Sequence, residues 1–150
     1  MRIIALTLTL IALVGCAAGA PLPTLMNEPV PVGKSKLTIT RADEFLYLAV
    51  DARIDVNGVR VTQLGRGQAY SRILEPGATV VTTDAWGHPG RFSVSFIAKP
   101  DTEYLLGIEP RGDSFLPGAL FGLVGAAIDA SINENSGAFQ IAIKEIKPTR

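Results

Sequence analysis

Apolar and polar residues in the middle of the chain alternate with a period of two. From Leu46 to Val56 the apolar positions are Leu46, Leu48, Val50, Ala52, Ile54 and Val56, with Tyr47, Ala49, Asp51, Arg53 and Asp55 between them. That pattern predicts a strand with one buried and one solvated face. Asn57-Gly58 follows at once. Both residues tolerate positive φ, which a two-residue type I′ hairpin needs, so Val59–Thr62 reads as the returning strand. Gly65-Arg66-Gly67 is a second turn. A strand over Gln68–Leu74 ends at Glu75-Pro76-Gly77, and Thr79–Thr83 is β-branched throughout. Trp86–Gly90 reads as a loop. Phe92, Val94 and Phe96 alternate with serines, as do Tyr104, Leu106 and Ile108 with their neighbours. Short strands joined by tight turns predict a mainly β fold, an antiparallel β-sandwich of about 7–8 strands, immunoglobulin-like or transthyretin-like.

The pattern changes between Pro117 and Asn133. Leu120, Phe121, Val124, Ile128 and Ile132 fall on a helical stripe. Pro117 suits a first helical turn, Asp113 or Ser114 can cap it, and Gly137 lies where such a helix would have ended. A glycine-rich helix over 115–133 is therefore expected near the C-terminus. Gly118, Gly122, Ala126 and Ala130 recur every four residues and give it one small-residue face. Three roles fit that face: close packing on its own sheet, self-association into a homo-oligomer, or membrane insertion. A last strand carries Phe139, Ile141 and Ile143 inward.

The N-terminus has another pattern. Met1-Arg2 precedes an apolar run from Ile3 to Val14, followed by Gly15-Cys16. One positive charge, a short apolar stretch and a small residue before the cut are the parts of a secretory signal. The run falls short of the roughly 20 residues a bilayer-spanning helix needs. Leu13-Val14-Gly15-Cys16 resembles the lipobox of bacterial lipoproteins. That resemblance implies a signal peptide over 1–15, cleavage before Cys16, and acylation of Cys16 as the lipid anchor. Ala17 stands where an aspartate would resemble an inner-membrane retention signal, so the resemblance implies the outer membrane, periplasmic face, with inner membrane or cell surface left open. Pro21, Pro23, Pro29 and Pro31 then mark residues 16–35 as an extended tether, or in part as an edge strand lying along the domain, with the sandwich domain over 36–147.

Composition narrows the chemistry. The chain has 150 residues, 14 basic and 14 acidic, with one Cys and one His. The charges balance, and losing residues 1–15 removes only Arg2, which takes the 14 basic residues to 13 against 14 acidic. There is no basic excess of the kind phosphate binding requires, and no nucleic-acid partner is expected. A lone Cys and a lone His leave no Cys/His metal site or disulfide framework. No phosphate-cradling glycine loop is present and no cofactor is expected. Trp86 and His88 stand together in a loop. An exposed loop aromatic can stack on a sugar, which makes these two the candidate ligand-binding residues. The rival reading folds Trp86 back over the core edge. His88 has no nucleophile motif beside it, Asp51 and Asp55 read as a solvated strand face, and Arg111-Gly112-Asp113 reads as a turn.

The run Val56-Asn57-Gly58-Val59, then Leu64, then Leu74-Glu75-Pro76-Gly77-Ala78-Thr79-Val80-Val81, is similar to PEGA-type small β-sandwich domains of bacterial surface proteins. The likeness spans about residues 46–109 and rests on turn chemistry. It implies a binding or accessory module and carries no catalytic residues. The expected function is a lipid-anchored envelope protein with a non-enzymatic interaction or scaffolding role. Its partners are the membrane, through the lipid, and an envelope protein or cell-wall glycan. The alternatives are a glycan- or peptidoglycan-binding module using loop aromatics, and a self-assembling or membrane-active component acting through residues 115–132.

Overall fold

The structure, a computed structural model, describes residues 27–112 and 135–149. Eight strands follow in order: β1 Ser35–Arg41, β2 Ala52–Val56, β3 Val59–Leu64, β4 Ala69–Leu74, β5 Gly77–Ala85, β6 His88–Ala98, β7 Thr102–Pro110 and β8 Phe139–Pro148. They form two four-stranded sheets, ordered β4-β1-β7-β8 and β3-β2-β5-β6.

The inner faces supply one core. Leu37, Ile39, Leu106, Ile108, Phe139 and Ile141 of the first sheet meet Ala52, Ile54, Val56, Leu64 and Val81 of the second. Each large side chain buried this way contributes about 1.5–3 kcal/mol.

The expected fold class is corrected in two respects. Among the described residues there is no helical element, so the sandwich-plus-helix description gives way to two sheets of four strands. The stretch 115–133 lies outside the described residues, and with it Gly118, Gly122, Ala126 and Ala130. The sheets are also not wholly antiparallel, because β1 runs parallel to β7, with Leu37 beside Tyr104 and Ile39 beside Leu106. Parallel neighbours need a long crossover. Here the whole second sheet, together with β4, lies between them in the chain.

Strand boundaries differ in three places. The alternation from Leu46 to Val56 becomes a strand only from Ala52, and residues 42–51 form a loop. Tyr47 adopts φ +56°, which breaks any ladder there. The loop expected over Trp86–Gly90 shrinks to Trp86-Gly87, with β6 starting at His88. Finally, β1 follows the proline-rich segment directly and is a central strand, although its alternation of Leu37 and Ile39 with Lys36, Thr38 and Thr40 is short. The Asn57-Gly58 hairpin stands as expected, with φ +51° and +78°.

The strands give the sandwich two distinct ends, separated by about 20–30 Å at 3.3 Å per residue. At the entry end Asp101 fastens both chain ends. It accepts from Gly33 N through its carboxylate (3.0 Å), donates its own N–H to Lys34 O (2.7 Å) and accepts from Thr149 N (2.9 Å). Lys34 also pairs with Glu75. The opposite, loop end carries residues 42–51, the 65–68 turn, Trp86-Gly87 and residues 135–138. There Ser136 N donates to Arg91 O (2.8 Å) and Ser93 N to Asn135 Oδ1 (3.1 Å), closing β6 against the approach to β8.

Candidate functional site

The loop end is organised by Arg41, the last residue of β1. Alternation turns its side chain inward, where it is only 3% exposed. The guanidinium donates to three backbone carbonyls: Val50 O (2.6 Å) and Leu64 O (2.8 Å) through Nη1, and Tyr47 O (2.9 Å) through Nη2. Its Cζ lies 4.5 Å from the Phe139 ring centroid. One cation thus ties the 42–51 loop to the end of β3 and to the start of β8. Burial pulls its pKa below the ordinary arginine value, with Arg66 adding to that and Asp51 opposing it. The group stays charged at any physiological pH.

Held in this way, the loop exposes apolar side chains. Phe45 is 83% exposed and Leu48 is more than half exposed. Between them Tyr47 turns inward. Its ring stands edge-on to His88 at 5.1 Å between centroids and packs near Phe139 at 5.6 Å. The pair singled out in the sequence therefore separates. His88 is a half-buried prop of the loop, while Trp86, at the tip of the β5–β6 turn, is 80% exposed. Trp86 does not fold back over the core edge.

Beside Trp86 lies the outer face of the β3-β2-β5-β6 sheet. Register places Gln63, Arg53 and Asp84 in one row across β3, β2 and β5. Arg60, Asp55, Thr82 and Ser93 form the next row, across all four strands. Arg53 Nε donates to Asp84 Oδ1 (2.7 Å). Arg60 pairs with Asp55 and reaches Asp84 Oδ2 through Nη2 (3.4 Å). The hydrogen bond to Asp55 raises the Arg60 pKa, burial opposes it, and Asp84 reinforces it. The Thr82 and Ser93 hydroxyls bond each other at 2.9 Å. Two guanidinium groups and two carboxylates are thus held against one another on a half-exposed face, their four charges balanced.

The other sheet carries a shallow hollow of about 210 Å³ lined by Lys36, Thr38, Glu103, Leu105, Glu145 and Lys147. Its charges alternate across β1, β7 and β8, with Lys147 and Glu103 3.7 Å apart. This is a cross-strand charge ladder covered at one side, where Lys36 is buried and donates from Nζ to Glu28 O (3.1 Å).

Arg53 and Asp55 point outward as alternation predicts, whereas Asp51, expected on the same strand face, lies in the 42–51 loop, and Trp86 is exposed on its turn. Sequence reading missed Arg41 and the 42–51 loop. The available signal was a charged residue at an inward position of a strand after Leu37 and Ile39. It also had no means of joining Gln63, Arg60 and Asp84, because those positions meet only through strand register. Cys16 lies outside the described residues. Among the described residues no group of three His, Cys, Asp or Glu side chains forms a metal-ligand set. No protein-family model matches the chain, and no curated protein matches it either.

Proposed function

We propose that this chain is a lipid-anchored protein of the bacterial envelope whose sandwich is a non-enzymatic binding module presenting its loop end to a partner. The anchor rests on the sequence: the apolar run, the lipobox-like Leu13-Val14-Gly15-Cys16, and a cysteine that occurs nowhere else in the chain. The single observation that carries the presentation is polarity of position. The tether enters the sandwich at Lys34 and Ser35, beside Asp101 and Glu75, whereas Phe45, Leu48 and Trp86 stand at the other end. Residues 28–34 turn onto the sandwich, with Lys34 N donating to Pro31 O (3.0 Å) and Lys36 Nζ to Glu28 O (3.1 Å). An extended tether is thus confined to residues 16–27 and reaches on the order of 35 Å at about 3 Å per residue. An anchor at Cys16 therefore leaves the loop end pointing away from its own membrane.

The test is expression of wild type and Cys16→Ala with a labelled fatty acid, followed by membrane fractionation. Wild type is expected in the outer-membrane fraction carrying label, and the variant unlabelled and uncleaved. Equal labelling of both chains, or an unlabelled wild type, refutes the anchor.

A further inference from the structure

We propose that the outer face of the β3-β2-β5-β6 sheet, with Trp86 at its margin, is a binding site for an uncharged glycan. The proposal rests on the binding-module reading and supplies the ligand class and the residues. Three features of the face point there together. Trp86 is exposed at the tip of a turn and offers an open ring. Asp84 precedes it by two residues, about 6–7 Å along the strand. The planar groups of Gln63, Arg53 and Asp84 line one row, with Arg60, Asp55 and the Thr82 and Ser93 hydroxyls in the next.

The charges of the face narrow the partner. Arg53 and Arg60 are balanced by Asp84 and Asp55 in direct contact. A polyanion such as nucleic acid or acidic lipid needs a larger surplus of cations than the exposed Arg91 alone supplies. The exposed apolar side chains of this face, Val80 and Ile97, lie toward the entry end, and the two rows nearest Trp86 are polar, without the apolar centre that anchors a protein partner. A sugar ring matches what is present. Its C–H face stacks on an indole, and its hydroxyls both donate and accept at the ring edge, as fixed carboxylates and guanidinium groups require. Because each Arg is already held by an Asp, the donors and acceptors lose little freedom on binding. Four strands about 4.8 Å apart give a row roughly 14 Å wide, enough for a short oligosaccharide.

Trp86 is the sole tryptophan, so intrinsic fluorescence reads this site directly. The full-length protein, purified in detergent, is titrated with hexamers of β-1,4-N-acetylglucosamine, β-1,4-glucose and α-1,4-glucose, and with a heparin hexamer. The expected result is a saturable blue shift and reduced acrylamide quenching with at least one neutral hexamer. By calorimetry Trp86→Ala weakens that binding at least tenfold, and Arg60→Ala does so with far-UV circular dichroism unchanged. Gln63→Ala, an exposed position, weakens it several-fold and serves if Arg60→Ala fails to fold. No response to any neutral hexamer, a response to heparin alone, or undiminished binding by Trp86→Ala overturns the proposal. Undiminished binding by both Arg60→Ala and Gln63→Ala does the same. The titration needs no membrane. A labelled, membrane-bound chain that ignores every hexamer defeats the glycan site alone, and a hexamer-binding chain without lipid defeats the anchor alone.

Discussion

Replacing Arg41 with Met removes the charge and all three hydrogen bonds while keeping an unbranched, apolar stem of similar reach. The structure allows the cost to be worked out. A hydrogen bond to a charged group contributes about 1.5–3 kcal/mol, and three leave the guanidinium. Against that stands the desolvation of the buried cation, which costs several kcal/mol and is recovered in the variant. What remains is the penalty on the carbonyls that lose their donor, about 1–3 kcal/mol for each that stays dry. The bond to Leu64 O is buried, whereas those to Val50 O and Tyr47 O are partly open to water. Loss of the cation–π contact with Phe139 adds about 1 kcal/mol. The net expectation is a loss of about 3–4 kcal/mol. For a domain of this size that lowers Tm by on the order of 15 °C.

Arg41→Lys keeps the charge as a single point that cannot span three carbonyls, and should recover less than half of that loss. Urea and thermal unfolding measure both variants. Hydrogen exchange should show residues 42–51 opening first, because Arg41 is their tie to the core. The effect should be flat between pH 5 and 9, since the arginine does not titrate there. If Arg41→Met lies within 1 kcal/mol of wild type, or Arg41→Lys equals wild type, Arg41 is not the tie and the loop is held by its aromatic contacts.

Other expectations follow from single contacts. Gly137 sits at φ +92° with its missing Cβ position 2.9 Å from Gly90 O, so Gly137→Ala should cost about 2–3 kcal/mol in thermal unfolding; a change under 0.5 kcal/mol would show that β6 and the entry to β8 are not in contact. Asn57→Ala loses both a favourable positive φ (+51°) and the bond from Val80 N to Asn57 Oδ1 at 2.8 Å, and should destabilise by about 1–2 kcal/mol in urea titration. Glu109 is held below the usual carboxylate pKa, first by the hydrogen bond from Lys144 Nζ at 2.5 Å, then by that cation's charge and by Gln140, with burial opposing. A lowered folded-state pKa stabilises above the unfolded value of about 4.3 and is lost as pH falls through the folded value. Glu109→Gln should therefore flatten the acid limb below about pH 4.5 by under 1 kcal/mol, because the pair is solvent-screened, and leave pH 6–8 unaltered relative to a Lys144→Gln control.

The sequence by itself determined what local chemistry can determine. Asn57-Gly58 and Pro76-Gly77 fix turns because few residue types accept their backbone angles. Alternation from Ala52 to Val56 and from Phe139 to Ile141 fixes which side chains are buried, because strand periodicity is a property of the backbone. Alternation alone did not fix where a strand begins. Leu46 to Val50 has the right period, yet Arg41 claims the carbonyls of Tyr47 and Val50 that a ladder would have used. Which strands became neighbours was decided only by tertiary structure. The parallel pairing of β1 with β7 joins residues more than 60 positions apart, and no local pattern encodes that choice. The same holds for the face beside Trp86. In the sequence Asp55 reads as part of a solvated strand face, and nothing there links it to Asp84. Sheet register sets them against Arg60 and Arg53 and turns them into one fixed array, because position across a sheet depends on which strands pair and not on distance along the chain.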